Sequence, residues 1–481
     1  MNINQILTSE RGSVVAPAGC GKTQLIVAAL NNPHSKPILV LTHTTAGVAA
    51  LKKRLRKFKV ANQNFVVTTI DGWALRVAHN FAASCPMHSS AESPKLFYPE
   101  MRRVVNTFIA SGALSKILKA SYSRLYVDEY QDCNMDQHQL IVSLSNQLPT
   151  VVFGDPMQCI FDFSGAMPDW VSEVEQQFPL LGTLTTPWRW NNANSPILGE
   201  WILQAREILM SGEKVDLSSC PQHIFWHPLS GDYQTDRSSN YKVERSILEL
   251  YPNDSLLVIG ASMDEQSRHS YAQGNPRIDV VEQVQLSGII TAAQEFDKKK
   301  GKSLADSIVD NVSKMITNVD AAVTKRRIDT ILNGRNEKPA TECEQALCDV
   351  VNSNSRSSIL SALLQLEKND GARVYRKAAF KALKDTISMS IGSPQKSMFE
   401  SASIIRERLR QVGDNRIPKR AIGSTLLLKG LEADHCLILN AQGRGMNARH
   451  LYVALSRGAK SVSVFFYTPI YRMIKRLIRQ A

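Results

Sequence analysis

Short apolar, β-branched runs recur along the chain at 13–16 (SVVA), 38–42 (ILVLT), 65–69 (FVVTT), 124–128 (RLYVD), 150–155 (TVVFGD), 256–260 (LLVIG), 436–439 (CLIL) and 461–466 (SVSVFF). Many are separated by segments with helical character, such as KTQLIVAALNN and TAGVAALKKRLRKF. That alternation predicts parallel sheets covered by helices, and the last three runs predict a second sheet. Between about 286 and 414 the texture changes to Ala, Lys, Glu, Ser and Asn with helical periodicity, as in DKKKGKSLADSIVDNVSKMI and YRKAAFKALKD. This predicts a helical insertion, and a smaller one is expected at about 75–120. No fixed-period repeat or low-complexity tract is visible.

Composition narrows the class. A chain of 481 residues, 43% apolar and 21% charged, exceeds what one core usually serves, so two large domains with appendages are expected. The net charge of +13 favours a polyanionic partner, although soluble proteins that bind nothing acidic share such a balance. The eight cysteines show no CxxC pair and no His/Cys ligand spacing, which reads as reduced, structural thiols. No apolar run approaches the roughly 18 residues of a membrane span. The opening MNINQILTSERG lacks the basic and apolar regions of a signal peptide. A cytoplasmic location without membrane association is expected.

Candidate chemistry lies at two strand ends. APAGCGKT (16–23) follows the strand SVV and opens a helix, the context a phosphate-binding loop needs. Small residues let backbone N–H groups of Ala16, Pro17, Ala18, Gly19, Cys20 and Gly21 and their neighbours close around phosphates; proline itself adds only a carbonyl. Lys22 would reach the β and γ oxygens, Thr23 would ligate Mg²⁺, and Gln24 continues the helix. Ala16 replaces the first Gly of the general pattern. In LYVDEYQD (125–132), acidic residues crowd the end of an apolar strand, where they repel one another unless a cation explains them. Asp128 would hold the Mg²⁺, and Glu129 would orient and deprotonate the attacking water.

Further stretches make the pattern specific. VDEYQD is followed by VVFGDPMQCIFDFSGA (151–166), TTPWRWN (185–191), STLLLKGLEADHCLIL (424–439) and RHLYVALSRGAKSVSVF (449–465). With the phosphate loop and VLTHTTAGVAALKKRL (40–55), this ordered series resembles that of UvrD/Rep/PcrA-type superfamily 1 helicases. In its compact size the chain also resembles the helicase subunit of Gabija-type anti-phage systems, which accompanies an OLD-family TOPRIM nuclease.

The resemblance implies two RecA-like α/β domains clamping ATP. The first would comprise 1–74 and 121–187 around a 1B-like insertion at 75–120; the second would comprise 188–285 and 415–481 around a reduced 2B-like insertion at 286–414. Gln158 would sense the γ-phosphate, Arg189 and Arg457 would reach it from the second domain, and Glu432, beside Lys429 and Gly430, would meet the ribose. Trp188 would stack on adenine and Gln5 would read it. Thr42, His43, Thr44, Thr69, Trp73, Phe161 and Phe163 match positions that line the single-strand track, where hydroxyls meet phosphates and rings stack on bases. For any one of these aromatics, burial in the core is an equal alternative. Lys52, Lys53, Arg54, Arg56 and Lys57 form a basic helical face that serves equally as a solvated face or a DNA contact.

Two departures stand out. Ser164 occupies a position where relatives commonly have Arg, and Leu426 one where they commonly have His; both couple nucleotide to strand. The function implied is ATP-driven translocation on single-stranded or forked DNA, 3′ to 5′, in anti-phage defence or repair. The alternative is an ATP-dependent DNA-sensing subunit that activates a partner nuclease with little processive unwinding, and an RNA-directed motor stays open.

Overall fold

The computed structural model describes every residue except 1, 33, 91–92, 162–164, 219, 283–286, 413–417 and 472–481. Six strands form the first sheet: β1 (Arg11–Val15), β2 (Ile38–Thr42), β3 (Phe65–Thr69), β4 (Arg124–Val127), β5 (Thr150–Gly154) and β6 (Leu180–Thr183). Their order is β3-β2-β4-β5-β1-β6, with every pair parallel. The period of two along each strand divides the core. Val15, Leu39, Leu41, Leu125, Val127 and Val152 pack with Trp73, Met101 and Leu140 on one face. Val14, Val40, Val67, Tyr126, Val151 and Phe153 pack with Ile26, Leu51 and Leu55 on the other. Because all six strands run the same way, the residues that follow β1, β2, β4 and β5 emerge at one carboxyl edge, where open α/β sheets place their ligands.

The remaining strands are β7 (Val215–Asp216), β8 (Ile224–Pro228), β9 (Leu256–Ile259), β10 (Asp279–Val280), β11 (Arg420–Gly423), β12 (Ala433–Ile438), β13 (Gly458–Phe466) and β14 (Ile470–Tyr471). A second six-stranded sheet has the order β10-β11-β9-β12-β13-β8, while β7 and β14 form a small antiparallel pair. The expectation of parallel α/β sheets is met. Helices Pro94–Ala110 and Ser115–Ser121 occupy the region of the smaller expected insertion.

The chain divides into two compact units. One comprises Met1–Leu229, Asp434–Cys436 and Met446–Ala481; the other comprises Ser230–Ala433 and Leu437–Gly445. In the second unit, among the described residues, seven helices from Ser287–Lys298 to Met398–Val412 enclose an aliphatic core that includes Phe296, Ile308, Leu347, Leu363, Phe380 and Leu383.

Candidate nucleotide site

The chain leaves β1 through Ala16, whose N–H donates to the Gly154 carbonyl at 2.8 Å. It then turns at Gly19 (φ +72°) and Gly21 (φ +91°), left-handed conformations that glycine adopts at little cost. Gly21 is the N-cap of helix Lys22–Leu30, so backbone N–H groups at the head of this helix face the loop. The loop is closely lined. A Cβ at Gly19 would stand 2.8 Å from both Arg189 Cβ and Trp190 Cζ3, and one at Gly21 would stand 3.0 Å from Trp188 Cδ1.

At the end of β4, Glu129 itself adopts φ +56°, an uncommon conformation for a side-chain-bearing residue. Both carboxylates there meet the same ammonium: Lys22 Nζ lies 2.9 Å from Asp128 Oδ1 and 2.6 Å from Glu129 Oε1. Burial alone would depress the Lys22 pKa, but the two carboxylates outweigh it and hold it above its ordinary value. Asp128 is pushed up by burial and by Glu129 against the opposing pull of Lys22. The Gln131 amide donates to Glu129 Oε2 at 2.6 Å, fixing one oxygen of that carboxylate. Hard oxygen donors at Asp128 and Thr23 suit Mg²⁺, which prefers one or two carboxylates completed by phosphates.

The two arginines implicated by the motif series converge on one residue. Arg189 Nη1 donates to the Ser456 carbonyl at 2.6 Å, and Arg457 Nη2 donates to Ser456 Oγ at 2.7 Å. The Arg189 N–H also donates to the Gly19 carbonyl at 3.1 Å, tying this segment to the phosphate loop. Arg457 is only 2% exposed, and its Nε donates to the Val453 carbonyl at 2.8 Å, so its guanidinium is held at the end of its own helix. Gln158 Nε2 donates to Asp155 Oδ2 at 3.0 Å. Trp188 is 53% exposed and lies against Gly21, whereas Trp190 is buried and donates to the Gly458 carbonyl.

Comparison with known proteins adds an independent line. Residues 98–179 match the UvrD/REP helicase N-terminal domain. The chain resembles UvrD-like superfamily 1 helicases. It is 28% identical over 191 residues to Gabija protein GajB of Bacillus cereus (strain VD045), covering 32% of this chain and 39% of that protein. It is 28% identical over 87 residues to an ATP-dependent helicase/nuclease of Leuconostoc mesenteroides, covering 18% of this chain and 7% of that one. The chain thus spans well under half the length of these relatives. A solved structure of arterivirus nonstructural protein 10 (helicase) with DNA aligns at a TM-score of 0.27 and 11% identity, over 53% of this chain and 49% of that one.

The other residues expected from the UvrD-like pattern are placed as follows. Cys20 is buried, and burial followed by the nearby Asp155 pushes its thiol up to about 12, so it serves as a small loop residue. Gln5 is exposed, and its side-chain oxygen accepts the Asn2 N–H in a capping box at helix Ile3–Thr8. Thr44 and Thr69 cap the helices after β2 and β3, accepting the N–H groups of Gly47 and Gly72. Thr42 is buried, and the His43 and Phe161 rings lie 6.2 Å apart. Trp73 is 4% exposed within the core, which gives it packing rather than a face for a base. Phe163 and Ser164 lie outside the described residues. Leu426, Lys429 and Gly430 lie on the turn after β11, in the second unit, and the exposed Glu432 follows them.

Sequence reasoning assigned no role to Gln131, Asp155, Arg206 or Tyr452. Asp155 and Tyr452 stand inside quoted motifs, but Arg206 carries no local signal. Among the described residues no helix is long and apolar enough to cross a membrane.

Proposed function

We propose that the chain is an ATP hydrolase that translocates on single-stranded DNA, 3′ to 5′ by its resemblance, with Mg²⁺ as cofactor and a TOPRIM-type nuclease as partner in anti-phage defence. The observation that carries this reading is the meeting of Lys22 with Asp128 and Glu129 beneath a glycine-turned loop at a helix N-terminus. Backbone N–H groups of the loop would bind the phosphates, and Lys22 would follow the β and γ oxygens. Mg²⁺ held by Thr23 and Asp128 would neutralise charge on those oxygens. Glu129, oriented by Gln131, would accept the proton of the attacking water. Gln158 would sense the γ-phosphate, and Arg189 and Arg457 would stabilise the spreading charge. The exposed Trp188 beside Gly21 offers adenine a stacking face. In the second unit, Lys429, Gly430 and Glu432 would complete the nucleotide contacts. Thr44, Thr69, His43 and Phe161 would carry the strand through backbone and stacking contacts.

Phosphate release with matched single-stranded DNA and RNA tests the reading directly. Lys22→Ala should stay folded and lose DNA-stimulated hydrolysis; wild-type turnover in that variant would overturn the assignment. Fork unwinding with and without the nuclease separates a motor from a DNA sensor.

A further inference from the structure

Asp155, at the end of β5, is 1% exposed and gathers partners from four segments of the first unit. Arg206, from helix Pro196–Ser211, donates to Asp155 Oδ1 through Nε at 3.1 Å and through Nη2 at 2.9 Å. The Met157 N–H donates to the same oxygen at 3.1 Å, while Gln158 donates to Oδ2. Tyr452, from helix Ala448–Leu455, makes a side-chain hydrogen bond to Asp155, and its hydroxyl oxygen accepts the Ala18 N–H of the phosphate loop at 2.9 Å. The Asp155 N–H in turn donates to the side chain of Gln131, whose amide holds Glu129. One buried carboxylate therefore joins the loop, the residue expected to act as base and the residue expected to sense the γ-phosphate.

The chemistry of each member suits this position. A neutral phenol has one proton to give and lone pairs to accept with, so Tyr452 can serve Asp155 and Ala18 together. Burial, and after it the Asp155 carboxylate, holds the phenol well above its ordinary pKa and keeps that proton in place. The guanidinium fork of Arg206 fixes the orientation of Asp155 in a way that a lysine point charge does not. Oδ1 is thereby committed to Arg206 and Met157, and Oδ2 aims Gln158.

Resting on the nucleotide-site reading above, we infer that Arg206 and Tyr452 are positioning residues for ATP turnover, Arg206 acting through Asp155 on Gln158 and Tyr452 acting on the phosphate loop through Ala18. The two should fail differently. Tyr452→Phe removes one oxygen and strands a buried N–H in the loop, so KM for ATP should rise roughly tenfold with kcat within about threefold. Arg206→Lys keeps the charge but loses the fork, so kcat should fall roughly tenfold or more while KM holds. If Arg206 works through Gln158, the double variant Arg206→Lys/Gln158→Ala should be no slower than Gln158→Ala alone.

Steady-state kinetics with saturating single-stranded DNA, on variants whose melting is checked first, tests this. Wild-type KM and kcat in folded Tyr452→Phe, or additive losses in the double variant, would overturn the inference. Should Arg206→Lys not fold, Tyr452→Phe decides alone, since it leaves the buried charge pair intact. Failure of the underlying reading looks different: Lys22→Ala would then turn over ATP normally, whereas failure of the inference leaves Lys22→Ala inactive and both positioning variants unchanged.

Discussion

At the carboxyl edge of the first sheet, Asp128, Asp155, Arg206 and Arg457 are buried charges, each held by partners at hydrogen-bonding distance. The helical region 287–412 of the second unit is built the other way: among its described residues no charged side chain is buried, and its core is aliphatic and aromatic. Its ion pairs, such as Lys325–Asp310 at 2.6 Å and Arg327–Glu344 at 2.9 Å, lie at the rim, where such contacts contribute little. Helix Glu342–Ser353 adds a capping box from Thr341 and Glu344. Burying charge is costly and a poor route to stability, so its concentration at one edge marks a region organised for chemistry. The bundle shows what this chain does where stability alone is at stake.

The largest expected effect follows from that contrast. Glu129→Gln keeps the shape and the hydrogen-bonding capacity of the side chain but removes its basic carboxylate, so DNA-stimulated hydrolysis should fall about 10²- to 10⁴-fold. Stability should change little, because the substitution also removes the like charge beside Asp128. Phosphate-release kinetics and thermal melting on the same variant check both halves. A variant that melts much lower yet hydrolyses at the wild-type rate would make this edge a structural charge cluster and dissolve the comparison.

The same contrast explains what was legible in the sequence. Lys22, Asp128 and Glu129 stand in contiguous motifs at the ends of strands that announce themselves as apolar runs, so strand, turn and chemistry could be read together. The runs at 38–42 and 65–69 coincide with β2 and β3. By contrast β6, whose four residues are all half-buried or exposed, has no continuous apolar signature. β10, with two residues, and β11, reading RAIG, are equally quiet. Arg206 reaches Asp155 from 51 residues away, and Tyr452 reaches Ala18 from 434, partnerships that only the folded topology creates. Trp73 marks a different limit, since an aromatic near a strand end has the same letter whether it packs in the core or meets a base. In the bundle, periodicity announces helices but does not say which faces meet.

A cavity in the bundle sharpens the comparison from the other side. Leu363 is fully buried on helix Arg356–Lys368, so Leu363→Ala should cost about 2–5 kcal/mol through lost burial and the void left behind. Hydrogen exchange of the amides in that helix should accelerate accordingly. Exchange unchanged in Leu363→Ala would mean that the aliphatic core is not what holds these helices.

The smallest effect concerns a titrating group at the margin of the two regimes. His269, on helix Glu265–Gln273, faces Glu265 at 3.5 Å and Glu282 at 3.8 Å, and Arg376 and Arg268 lie near it. Its pKa falls to about 3, chiefly through burial and then through the two guanidiniums. The carboxylates would pull the other way, but Glu282 is already engaged by Arg376 and by the Ala379 N–H. As pH falls below about 6.5, the unfolded chain takes up a proton that the folded chain refuses until about 3. The stability present above the ordinary histidine pKa is therefore lost progressively on acidification. Between pH 7 and 5 this amounts to about 1–2 kcal/mol. His269→Gln lacks the titration, so its denaturant midpoint should fall less than that of the wild type over this interval, with the two curves converging toward neutral pH. Parallel curves would place the histidine in a solvated setting and remove it from the buried, charge-crowded class that distinguishes the site from the bundle.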